Sequence, residues 1–172
     1  MMAVVLLAAC GSPADKRAAS PAAPTSPPTL DINQIPVLGA DNPPPVPLEI
    51  NDPRYPIPPA SGATFAAGQR LYERFCAVCH GFSGEGEPPD PLAPGAAPPH
   101  NGDGHTWHHA DQQNFATVWY GRLFTRPMPP FHDRLTPDEI IQVLAYIKTW
   151  WADDQVAYQM DLSQRVIDSV AP

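Results

Sequence analysis

Cysteine is scarce in this chain. Of 172 residues only three are cysteine: Cys10, Cys76 and Cys79. The chemistry argued below claims all three, which leaves no thiols for a disulfide framework. Basic residues are also few, 10 Lys and Arg against 18 Asp and Glu, giving a net charge of −8. Such an acidic balance argues against electrostatic binding of nucleic acid. No apolar run is long enough to cross a bilayer as a mature helix; the longest stands at the N-terminus and ends at Cys10. No segment alternates apolar and polar residues as a half-buried strand does, and no internal repeat is evident. The length leaves room for one small domain, which excludes a large multidomain enzyme, an eight-stranded α/β barrel and a full dinucleotide-binding fold.

Proline is abundant. There are 25 prolines and 11 glycines, and 14 of the prolines fall in residues 11–60. Stretches such as Ser20 to Pro28 and Asn42 to Pro47 hold few large apolar side chains. They bury too little surface to offset the entropy of ordering them. Residues 10–60 are therefore expected to be a disordered, partly polyproline II linker, which at about 3.1 Å per residue reaches at most ~150 Å. Two uses are open: a spacer that lets an anchored domain search for partners, or a strap lying on a partner subunit. The islands Leu30 to Ile32, Ile35 to Leu38 and Leu48 to Ile50 favour the strap.

Before the linker, residues 1–9 read as the remnant of a secretory signal. Leu7-Ala8-Ala9-Cys10-Gly11 resembles the lipobox of bacterial lipoproteins, in which small side chains flank the cut and the cysteine is lipidated. The basic start of such a signal is missing, so the true start codon is expected upstream of Met1. The implied location is the outer face of a bacterial cell membrane or the periplasm, with Cys10 as the lipid anchor.

From residue 61 the pattern becomes helical. Phe65, Leu71, Tyr72 and Phe75 predict a helix that starts near Ala63 and runs into Cys76. Asp111 to Tyr120 predicts a second, stopped by Gly121. Thr136-Pro137-Asp138-Glu139 is a capping box with proline at the first helical position. Behind it Ile140, Val143, Leu144, Ile147 and Trp151 share one face. The reading is an all-α domain over 61–151 with a C-terminal extension over 152–172. The connections at 81–110 and 122–135 are long for a compact domain, and a large buried cofactor would explain them.

Cys76-Ala77-Val78-Cys79-His80 is the string that attaches c-type haem. Two thiols three residues apart at a helix end both reach the porphyrin edge and form thioethers with its vinyl groups. His80 then lies under the iron. A thioredoxin-like dithiol needs a βαβ context, and a structural zinc site needs two further ligands at matching spacing. Neither is present.

With this motif the chain resembles the class I cytochromes c over residues 62–151. The likeness rests on Gly68, Tyr72, Cys76, Cys79, His80, Gly81, Met128 and Tyr146. It implies three main helices wrapped around one covalent haem c, with the first and last crossing at Gly68 between Tyr72 and Tyr146. It implies that a proline carbonyl, from Pro98 or Pro99, orients the free nitrogen of His80. It also implies that Met128, in Arg126-Pro127-Met128-Pro129-Pro130, is the second iron ligand. The flanking prolines lower the entropy of closing a loop around a weak thioether ligand.

His100, His105, His108, His109 and His132 crowd the later part of the sequence. The string Gly104 to His109, with His105, His108 and His109, could form a second metal site, for example for copper, or line the haem pocket. Trp107 is the candidate for holding a haem propionate through its indole N–H.

A haem ligated by His80 and Met128 has no vacant site for a small-molecule substrate, so the expected role is one-electron transfer rather than catalysis. Three readings follow. The chain is a tethered carrier between a quinol-oxidising complex and a terminal oxidase or photosynthetic reaction centre. Or it is a fixed cytochrome subunit of such a complex, like the mono-haem subunit of alternative complex III. The apolar residues Val156, Tyr158, Met160, Val166 and Ile167 favour the fixed subunit. Or, if Met128 does not bind, it is an open-site haem enzyme or gas sensor.

Overall fold

The computed structural model describes residues 44–87, 96–122 and 128–171. Cys10, Arg126 and Pro127 lie outside them. Among the described residues there are five α-helices: α1 Gly62–Phe75, α2 Ala77–His80, α3 Asp111–Tyr120, α4 Pro137–Ile147 and α5 Asp153–Asp168. Single 3-10 turns cover Thr106–His108 and Lys148–Trp150. No strand forms among the described residues, only one antiparallel bridge between Arg122 and Met128. The fold is all-α, as expected.

The capping box of α4 forms as its sequence predicts. The Glu139 amide donates to Thr136 Oγ1 at 3.3 Å, and the Thr136 amide donates to Glu139 Oε2 at 2.8 Å. Together they satisfy helix-end amides that have no partner inside the helix. The apolar stripe of α4 buries Ile140, Val143, Leu144 and Ile147. Helix α1 crosses α4 at Gly68. A Cβ there would overlap the backbone oxygen of Gln142 and lie 2.8 Å from Tyr146 Cβ. The close approach brings Tyr72, Tyr146 and Trp150 together, with Trp150 edge-on to both tyrosine rings at 4.9 Å between centroids.

The described fold reaches beyond residues 61–151 at both ends. Residues 44–60 lie on the domain itself. Leu48, Tyr55 and Ile57 are buried, and Ile57 is fully inaccessible. Backbone groups of this strap bond the helices: the Ile57 amide donates to Asp111 Oδ2 at 2.7 Å, the Ala60 amide to Ala145 O at 2.9 Å, and Gln112 Nε2 to Ile50 O at 3.1 Å. Composition misleads here for a physical reason. A proline-rich segment carries few amides to satisfy, so it can lie extended on a helical surface with few bonds.

The C-terminal extension is likewise built in. Its residues Asp153–Asp168 form α5, which packs on α3 and on the Thr106–His108 turn. Val156, Tyr158 and Ile167 rest against the main core. A buried polar hub joins strap, helices and extension. Lys148 and Asp111 have side chains 1 % exposed and form an ion pair at 2.9 Å. Lys148 Nζ also donates to Ile57 O at 2.5 Å and Gln159 Oε1 at 2.6 Å. Gln159 Nε2 donates to Asp111 Oδ1 at 2.8 Å, and the Asp111 amide donates to Ser163 Oγ at 2.9 Å. Each buried charge thereby keeps hydrogen-bond partners, which is the condition for tolerating it.

Candidate functional site

Helix α1 ends at Phe75 and the chain turns directly into α2. The Cys76 amide donates to Tyr72 O at 2.8 Å, and the Cys79 and His80 amides donate back to Cys76 O at 3.1 and 2.9 Å. This turn sets the spacing of Cys76, Cys79 and His80. The Tyr72 hydroxyl donates to Gly81 O at 3.1 Å and pins the far end of the turn to α1. Both thiols are free. Burial pushes the Cys76 thiol up to about 12, so it stays protonated.

His80 is buried, with Nδ1 2.8 Å from Pro98 O. A carbonyl only accepts, so Nδ1 carries the proton and Nε2 is left as the ligating nitrogen. Burial lowers the His80 pKa against the opposing pull of that bond, which favours the neutral ring a metal requires. Of the two prolines expected from sequence, the structure brings Pro98 to His80. Pro99 O instead faces Thr106 Oγ1 at 3.5 Å. The carbonyl is held in place by the residues after it: the His100 amide donates to Gly84 O and Trp151 Nε1 donates to His100 O, each at 2.7 Å. The His100 ring stacks on His80 with centroids 4.0 Å apart and Nδ1 2.9 Å from Thr106 Oγ1. That second imidazole was visible in sequence only as one of many histidines.

Met128 follows α3 across a turn at Gly121, whose φ of +68° suits glycine. Arg122 and Met128 exchange two backbone hydrogen bonds of 3.0 Å, so the methionine backbone is fixed at a defined point. The Met128 side chain is part-buried against the core.

The indole N–H of Trp107, the propionate candidate, donates to Gly104 O at 2.9 Å, within its own loop. The ring is buried against His108 and Tyr158. The histidine cluster does not assemble a metal centre: among the described residues no three His, Cys, Asp or Glu side chains gather as one. His109 Nδ1 lies 3.2 Å from Gln113 Oε1, and His132 Nδ1 lies 3.1 Å from Trp119 O.

Two free thiols, a neutral imidazole with one nitrogen open and a thioether on a fixed backbone are the donor set a c-type haem needs, so the residues fit the group. Cys76 and Cys79 would form the thioether links, and His80 and Met128 would face the iron. The family model for cytochrome c matches residues 65–151. The chain belongs to the cytochrome c family and is of its class I, mono-haem kind. It carries covalent haem c with its iron, and its chemistry is haem-based electron transfer. The quinohemoprotein alcohol dehydrogenase ADH IIB of Pseudomonas putida is 32% identical to it over 120 residues, 69% of this chain. The chain spans only 16% of that relative's length. The crystal structure of cytochrome CL from the marine methylotroph Methylophaga aminisulfidivorans MPT shares 24% identity and a TM-score of 0.47, covering 62% of this chain and 67% of that one.

Proposed function

We propose that this protein is a membrane-tethered cytochrome c that passes single electrons between respiratory or photosynthetic membrane complexes, and that His80 and Met128 would hold the haem iron. Bound haem c supplies the one-electron couple of its iron. The protein's own residues do the rest. Pro98 fixes the proton of His80 on Nδ1 and thereby orients the ring. The Arg122–Met128 bridge presents the weaker ligand without the entropy of a free loop. That pairing, one imidazole nitrogen free to ligate and one methionine on a pinned backbone, is the observation that carries the reading. It leaves no coordination position for a substrate.

Lipidation at Cys10 and export across the bacterial cell membrane remain part of the proposal on the strength of the sequence alone. The mobile carrier is preferred to the fixed subunit. Of the apolar residues that favour a fixed subunit, Leu48 in the strap and Val156, Tyr158 and Ile167 in α5 are used within the fold. A second reading of the electron donor rests on the likeness to the Pseudomonas putida quinohemoprotein. On that reading the donor is a separate dehydrogenase rather than a quinol-oxidising complex.

The test is a native gel of mildly solubilised membranes, stained for haem and probed for this chain, beside a Cys10→Ala variant. A small haem-positive band that leaves the membrane fraction on Cys10→Ala is the expected result. Migration within a large assembly would instead make it a fixed subunit. A chain without haem stain would end the proposal.

A further inference from the structure

The C-terminal end of α3 is shared between two parts of the chain that are distant in sequence. On one side it holds the start of the strap. Trp119 Nε1 donates to Pro44 O at 3.2 Å, and the Tyr120 hydroxyl accepts from the Val46 amide at 3.0 Å. On the other side it holds the methionine segment. The Arg122–Met128 bridge begins two residues after Tyr120, and the Phe131 amide donates to Val118 O at 3.1 Å. His132 Nδ1 lies 3.1 Å from the carbonyl of Trp119, the same residue that binds Pro44. At Gly121 the two sides approach closely: a Cβ there would overlap Met128 O and lie 2.7 Å from Pro129 C and Pro130 N. The Trp119–Tyr120 end and the backbone of Met128 thus meet at Gly121, so a shift of one bears on the other.

We infer that residues Pro44–Val46 are a positioning element for Met128, holding the thioether in its ligating position through Trp119 and Tyr120. The inference rests on the reading of Met128 as an axial ligand. Thioether sulfur is the weaker of the two ligands, so the fraction of molecules in which it is dissociated is sensitive to small losses of backbone support. Removing one hydrogen bond of ordinary net strength changes such a fraction about fivefold. The strap is also where the linker meets the domain, so the linker joins the domain beside the methionine side of the site.

The test uses the full-length holoprotein in the ferric state, titrated with imidazole, which competes with methionine for iron. Val46→Pro and Tyr120→Phe break the same hydrogen bond from opposite partners, and Trp119→Phe breaks the bond to Pro44. Each is expected to bind imidazole about fivefold more tightly than the parent. Ser163→Ala serves as the comparison, since it loosens α3 at its other end, where the Asp111 amide is bound. It should lower the melting temperature and leave imidazole affinity unchanged. Parental affinity in all three strap variants would overturn the inference. So would equal tightening in Ser163→Ala, because general loosening would then explain the effect. Failure of the underlying ligand assignment is read separately: the parent spectrum would already match that of Met128→Ala.

Discussion

His109 sets burial against protonation. Its ring is largely buried, and that desolvation, with the nearby His105 as a lesser cause, lowers its pKa from 6.5 to about 4. In the unfolded chain it protonates near 6.5, so between those values the unfolded state binds the extra proton. Its contribution to stability is complete above pH 6.5 and is lost as pH falls towards 4. Thermal melts of the holoprotein across that window should show a falling melting temperature, with a shallower fall in His109→Asn. Tyr72 carries a second prediction. Its side chain is fully buried and its hydroxyl holds Gly81 O. Tyr72→Phe removes one of two donors to that carbonyl, leaving only the Gly84 amide at 3.3 Å, and should cost about 1 kcal/mol in denaturant unfolding. At this scale the haem-attachment residues were legible because covalent attachment needs a fixed local spacing. Pro98 and Pro99 were not separable, since a backbone carbonyl has no signature in sequence. The Gly104 carbonyl that takes the Trp107 N–H is likewise a backbone group that sequence does not announce.

Among the elements, the α1–α4 crossing has the least tolerance. Gly68→Val would drive a side chain into the Gln142 backbone and Tyr146. We expect a loss of about 1–3 kcal/mol or failure to accumulate folded holoprotein, measured by haem stain and thermal melt. The hub at Lys148 is the second weak point. Lys148→Met leaves Asp111 buried without its cation and should cost about 3–5 kcal/mol. Changing Asp111 to Asn as well should recover part of that loss, as a double-mutant cycle would show. Helix α4 was legible from its capping box and 3.6-residue stripe, both local signals. The strap and α5 were not. What holds them is pairing between residues far apart in sequence, Ile57 with Asp111 and Lys148 with Gln159, and no local pattern announces such partners.

In the whole molecule, strap, cytochrome core and α5 form one folded unit. The family match at 65–151 covers the haem-binding core, while the strap before it and α5 after it close the structure around the buried hub. Charge is spread with the same economy: few cations, one of them buried in the hub and another, Arg134, lying over the Phe131 ring.

The central claim is that His80 and Met128 close the iron of a covalent haem used only for electron transfer. The measurement that tests it most directly is an optical redox titration of the full-length holoprotein, with Met128→Ala alongside. The parent should cycle reversibly through a single one-electron step and show, when oxidised, the red-region sulfur-to-iron charge-transfer band of methionine ligation. In Met128→Ala that band should vanish and the reduction potential should fall, because methionine ligation raises it. Identical spectra and potentials in parent and variant would contradict the claim and leave the iron open to other ligands.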